Sequence, residues 1–223
     1  MTSVNTFFNK VYYINLTRRP DRLVHITQQL SSNNIVAEKI EAIDGLFSSF
    51  SCVPSVDTNK KEVTLLSHTK ISSFEAALVA THKLILIDAL KNNYSNILIL
   101  EDDAAFSSSF TEGFNNIVKD IPTNWDVLYL GALGLPALSK REKYSYALDK
   151  AVYILGCHAI GINSSVFEKL LAVSTFDKPI DVSYANQLQS LNAFVSSKPL
   201  VNQKEGFFSD LKFAMNTSLA FPF

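Results

Sequence analysis

Apolar residues recur along this chain in two rhythms, and the first 130 positions carry them most clearly. VYYINL (11–16) is a short apolar, β-branched run that predicts a first strand, stopped by Thr17, Arg18, Arg19 and Pro20. Proline suits the first turn of a helix, and from Asp21 the residues Leu23, Ile26 and Leu30 follow at helical spacing until Ser31–Asn34 ends the pattern. A second strand is expected over 37–43, closed by the turn pair Asp44-Gly45. Residues 46–70 are rich in Ser, Thr and Lys without a period and read as a long surface loop. A helix over 74–90, a strand over 96–100, a helix over 108–119 and a strand over 125–131 come next. Residues 132–150 read as a flexible basic loop around Lys140, Arg141 and Lys143. Short strands at 151–155 and 158–162, helices at 164–172 and 181–191, and a strand at 193–196 complete the pattern. Alternating strand and helix implies an α/β fold, with a mostly parallel central sheet and helices on both faces.

Composition narrows the class. The chain has 223 residues, enough for one large α/β domain, and 1–223 is read as a single unit. With 20 basic and 21 acidic side chains the net charge is −1, so no nucleic-acid partner is expected. Cys52 and Cys157 have no metal-ligand spacing and are too few for a disulfide scaffold. The start of the sequence lacks a signal-type apolar stretch, and no apolar run reaches the ~18 residues of a membrane span. Asn15 sits in a glycosylation sequon but ends a core strand, where a glycan has no room. These features predict a cytoplasmic protein without a transmembrane segment, leaving peripheral membrane contact open.

The chemistry concentrates in two places. ILILEDDAAF (97–106) places Glu101, Asp102 and Asp103 directly after a strand buried on both faces. Ligands of α/β sheets bind at such carboxyl ends. The cluster is either a solvated acidic turn or a divalent-cation site. Extended backbone alternates its side chains, so Glu101 and Asp103 would project together as a half-site for Mg²⁺ or Mn²⁺, with Asp102 opposite. The second place is INLTRRPDR (14–22), which holds three of the four arginines. Arg18 or Arg19 would face a diphosphate through its guanidinium fork, while Arg22 would pair with Asp21 or a neighbouring carboxylate.

These segments do not stand alone. INLTRRPDR, AIDG (42–45), Glu75 with Thr81-His82, LILEDDAAF, WDVLYLG, GCHAIGIN, PID (179–181) and PLVNQ with Ser209-Asp210 occur in the order that resembles glycosyltransferase family 25. The resemblance extends over about 11–211. It implies a GT-A type, Rossmann-like fold, with 1–130 as the nucleotide-sugar-binding half and 131–223 as the acceptor half. It implies a metal-dependent inverting transferase moving a hexose, galactose or glucose, from a UDP-sugar. The acceptor would be a glycan, a lipid-linked saccharide or a protein hydroxyl.

The same resemblance distributes the roles. Asp103, Glu101 and His158 are the expected ligands of Mn²⁺ or Mg²⁺. Asn15, Arg18, Arg19, Arg22, Glu101 and Asp102 are expected at the donor. Asp181 is the first candidate for the base that takes the acceptor proton, although Pro-Ile-Asp is also a helix-start signal. Asp210 and Glu75 stand in reserve. His158 is equally readable as a phosphate contact or as a satisfied residue beside a strand, and His82 as a packing residue. Residues 74–78 (FEAAL) and 158–160 (HAI) depart from the family's usual wording. They motivate an alternative, a degenerate member that binds nucleotide sugar or glycan without turnover.

Overall fold

The computed structural model describes residues 2–46, 53–57, 62–66, 71–133 and 139–207. A short helix α1 (Val4–Phe7) leads into β1 (Lys10–Asn15), α2 (Pro20–Ser32) and β2 (Glu38–Glu41). A hairpin follows, β3 (Val53–Asp57) with β4 (Glu62–Leu66), where only a loop was expected. Then come α3 (Ser73–Lys91), β5 (Asn96–Glu101), β6 (Ala104–Phe106), α4 (Phe110–Asp120) and β7 (Val127–Tyr129). The final third holds β8 (Lys140–Lys143), β9 (Leu148–Tyr153), β10 (Ala159–Asn163), α5 (Phe167–Val173), α6 (Ile180–Ala185), β11 (Ala193–Ser196) and β12 (Val201–Gln203).

Eight strands form one sheet in the order β2-β1-β5-β10-β7-β11-β9-β8. Its register pairs make six of them run one way, with β10 and β9 reversed. This is the mostly parallel α/β architecture that the strand–helix alternation implied. Alternation along β1 sends Tyr12 and Ile14 to one face and Val11 and Tyr13 to the other. On β5, Ile97 and Ile99 share the first face while Leu98 and Leu100 share the second. Helices α3, α5 and α6 cover the first face, and α1, α2 and α4 the second. Each aliphatic side chain so enclosed contributes about 1.5–3 kcal/mol.

Three expectations change. Residues 140–143 are not loop but an exposed edge strand, because Lys140–Lys143 pairs with β9 while its charges stay in water. The helix expected over 181–191 stops at Ala185, and a separate 3₁₀ turn covers Leu188–Ser190. β6 and β12, two three-residue strands, were not foreseen at all and pair with each other.

Inside the first face, His82 of α3 is fully enclosed, edge-on to Tyr184, and neither ring nitrogen has a hydrogen-bond partner. Burial pushes its pKa from the ordinary 6.5 down to about 4, so the ring is neutral in the fold. Between those values the unfolded chain binds the proton that the folded chain refuses. Stability is therefore lost as pH falls from about 6.5 towards 4, by up to about 3 kcal/mol for this one group. His82→Leu should flatten the unfolding free energy over that window. An unchanged pH slope in urea titrations would contradict this.

Candidate functional site

The site begins where β1 and β5, parallel neighbours, reach their carboxyl ends. β1 closes on Asn15, and α2 starts at Pro20 with Arg22 in its first turn. β5 closes on Glu101, whose N–H still donates to the His158 carbonyl at 3.0 Å. Asp102 and Asp103 then form a turn before β6.

That turn corrects the alternation argument. Side chains alternate only while backbone stays extended, and here extension stops at Glu101. All three carboxylates line a single cleft of about 130 Å³, together with Asn15, Arg22, Thr81 and Gln203. The cleft is smaller than the ~300–1,000 Å³ of a typical small-molecule site and takes only part of such a ligand.

A buried ion-pair network holds the acids. Arg22 Nη1 donates to Asp102 Oδ1 at 2.7 Å and lies 3.5 Å from Asp103 Oδ2. Asn15 Nδ2 donates to Asp102 Oδ2 at 2.8 Å, so both oxygens of Asp102 are engaged. Asp103 Oδ1 is buried without a partner. Burial raises the Asp103 pKa to about 6, the Arg22 charge opposing the rise and Asp102 adding to it. Glu101 is held well above the ordinary carboxylate range, first by loss of water and then by Asp103, Asp102 and Asp181. Both shifts have the same sign: the cleft favours the protonated form of Glu101 and of Asp103.

The other expected residues lie elsewhere. Arg18 Nε donates to Asp44 Oδ2 at 2.7 Å, tying the first loop to the AIDG turn. Arg19 forks onto Asp21 at 3.0 and 2.8 Å, holding that carboxylate down to about 2. Neither lines the cleft; the arginine that does is Arg22. Glu75 completes a capping box, its Oε2 accepting from Ser72 N–H at 2.9 Å, so its carboxylate is engaged at the α3 start. Asp181 accepts from Val182 N–H at 2.8 Å and from Gly156 N–H at 3.3 Å, and its charge still reaches Glu101. Asp210 lies outside the described residues.

His158 is buried just before β10 and only half satisfied, since its Nδ1 has no hydrogen-bond partner. Burial lowers its pKa, and the neutral ring lies with Nε2 3.2 Å from the Val201 carbonyl. Among the described residues no three His, Cys, Asp or Glu side chains gather as a metal cage. The His158, Glu101 and Asp103 ligand set is therefore not assembled. The donor set that remains, with Asp103 Oδ1 unpartnered beside Glu101, fits a cation completed by phosphate oxygens, as Mg²⁺ and Mn²⁺ accept.

Residues 200–204 form a wall that the motif readings did not assign. Leu200 and Val201 N–H both donate to the Leu130 carbonyl, and Lys204 N–H donates to the Asp103 carbonyl at 2.7 Å. Gly131 is essential to this approach, since a Cβ there would meet Val201 O at 1.8 Å and His158 Nε2 at 2.7 Å. Gly131→Ala should cost about 1–3 kcal/mol of stability, by pushing the wall off β7. A melting temperature equal to that of the unaltered chain would contradict that packing.

The comparisons with known proteins agree with the sequence resemblance. A family model described as glycosyltransferase family 25 (LPS biosynthesis protein) matches residues 8–154, and the chain belongs to that family. Inactive glycosyltransferase 25 family member 3 of Homo sapiens is 24% identical over 238 residues, covering 96% of this chain and 40% of its own. Procollagen galactosyltransferase 2 of Mus musculus is 22% identical over 227 residues, covering 96% and 35%. The chain thus spans about two fifths or less of the length of these curated relatives. Among solved structures, A197 from STIV is similar with a TM-score of 0.47 at 11% identity, over 90% of this chain and 96% of that one. Among the described residues, no helix is long and apolar enough to cross a membrane.

Proposed function

We propose that this chain is a metal-dependent inverting transferase moving a hexose, galactose or glucose, from a UDP-sugar to a hydroxyl of a glycan, a lipid-linked saccharide or a protein. The observation that carries the reading is the acid turn Glu101–Asp103, locked to Arg22 at the carboxyl ends of β1 and β5 in a family 25 chain. Asp103, with Glu101, would hold Mn²⁺ or Mg²⁺, which stabilises the departing diphosphate as a Lewis acid. Arg22 brings fixed positive charge to the same place, in a site poor in water where such charge counts most. Asn15 keeps Asp102 turned towards Arg22. Asp181 is the proposed base for the acceptor hydroxyl; its charge already reaches Glu101 across the cleft end of the sheet.

A second reading is binding without turnover. It is favoured by the altered 74–78 and 158–160 stretches and by the engagement of Asp102 and Asp103 with Arg22. One assay separates the two. The full chain is incubated with a panel of nucleotide sugars and a broad acceptor pool, in Mn²⁺ or in EDTA, and nucleoside diphosphate release is measured. Release that needs Mn²⁺ is the expected result. Mn²⁺-dependent binding with no release would establish the second reading, and no nucleotide-sugar binding would sink both.

A further inference from the structure

We infer that Phe207 is a positioning residue that holds the Arg22 guanidinium over the acid turn, an assignment that rests on the cleft being the donor site. The Phe207 ring centroid lies 5.3 Å from Arg22 Cζ, within cation–π range. The same ring is edge-on to His25 at 5.3 Å. Arg22 and His25 are three residues apart on α2 and so share one face of that helix. His25 Nε2 is 3.0 Å from the Ala104 carbonyl, on β6. β6 is the strand that pairs with β12, so the ring is placed by the ladder that follows the acid turn.

The chain path explains why residue 207 arrives there. The Lys204 N–H bond to Asp103 O pins the segment to the turn. Gly206 then takes φ +82°, a left-handed bend that glycine adopts without strain, and the chain reaches α2. The consequence is energetic. An arginine side chain carries about 2 kcal/mol of rotamer entropy, which a ligand must otherwise overcome on binding. An aromatic face attracts the cation without offering it a hydrogen-bond acceptor, so it restrains the guanidinium but does not compete for its N–H groups. Phe207 prepares Arg22 for an anionic group while touching neither substrate nor metal. This gives the PLVNQ segment, which the sequence singled out, a purpose: it forms β12, whose pairing with β6 sets where residues 204–206 leave towards that ring.

The test is calorimetric titration of the full chain with UDP and Mn²⁺. Phe207→Ala should weaken UDP by about 3- to 10-fold, and Phe207→Tyr, which keeps the ring, should stay within about twofold of the unaltered chain. In an Arg22→Lys background, where the planar fork is gone, Phe207→Ala should change affinity less than about twofold. Melting temperatures of both Phe207 variants should match the unaltered chain. An equal loss in both backgrounds, or no loss in either, overturns the inference. UDP binding that Arg22→Lys weakens but Phe207→Ala does not overturns the inference alone. No UDP binding by the unaltered chain removes the donor-site reading and the inference with it.

Discussion

Replacing Arg22 by methionine should destabilise the chain by about 3–5 kcal/mol at neutral pH, the usual cost of leaving buried carboxylates without their partner. Arg22, Asp102 and Asp103 are 8%, 6% and 8% exposed, so water cannot take over the lost contact. Asp102 loses its 2.7 Å hydrogen bond from Nη1, and Asp103 loses the charge that restrains its pKa. The deficit should shrink at pH 5, because Asp103, already raised to about 6, then discharges itself by taking a proton. Adding Asp102→Asn and Asp103→Asn to Arg22→Met should restore most of the stability, since a neutral cluster no longer needs the cation. Urea unfolding of the three proteins at the two pH values reads all of this. A single Arg22→Met variant within about 1 kcal/mol of the unaltered chain would mean that the network does not hold the turn.

Asp103→Asn should separate stability from function. The Asp103 carboxyl has a folded pKa of about 6 against an ordinary 3.8, so protonation favours the folded state. Its contribution is most favourable below about pH 4 and is lost as pH rises through about 6. At pH 7 the fold therefore carries a buried charge that an amide of the same shape lacks. The variant should be more stable by about 1–3 kcal/mol at pH 7, with the difference closing towards pH 4. Nucleoside diphosphate release should meanwhile fall by at least about 100-fold, because the leaving group loses its electrostatic partner. A variant that is both inactive and less stable at pH 7 would make Asp103 a structural residue instead.

The strands and helices of the first 130 residues were legible because each is a local pattern. The ILIL run, the Leu23-Ile26-Leu30 spacing and the Pro20 start all declare themselves within a few residues, and β5, α2 and β1 follow them closely. What the sequence did not show is long-range. Arg22 meets Asp102 across 80 residues, and His158 meets Val201 across 43, so neither partner could be found by spacing. The parity reading of Glu101 and Asp103 failed for a local reason, a turn beginning one residue after the strand. β10 was foreseen as a strand, but its reversed place between β5 and β7 was not, since hydrophobic rhythm carries no direction. β6, β8 and β12 were missed because strands of three or four residues, one of them wholly charged, have too short a period to detect. Two of the segments singled out in the sequence, the start of α2 and the acid turn, meet at one cleft. Arg22 lines the cleft and Arg18 and Arg19 do not, and Glu75 caps a helix.

The most direct test of the cation-bridged donor site is the affinity of the full chain for UDP in Mn²⁺ and in EDTA, measured beside Asp103→Asn. UDP should bind at least about 10-fold more tightly with Mn²⁺, and that advantage should disappear in the variant. UDP bound equally well in EDTA, or a Mn²⁺ advantage that survives Asp103→Asn, would contradict a donor diphosphate held by a cation on this turn.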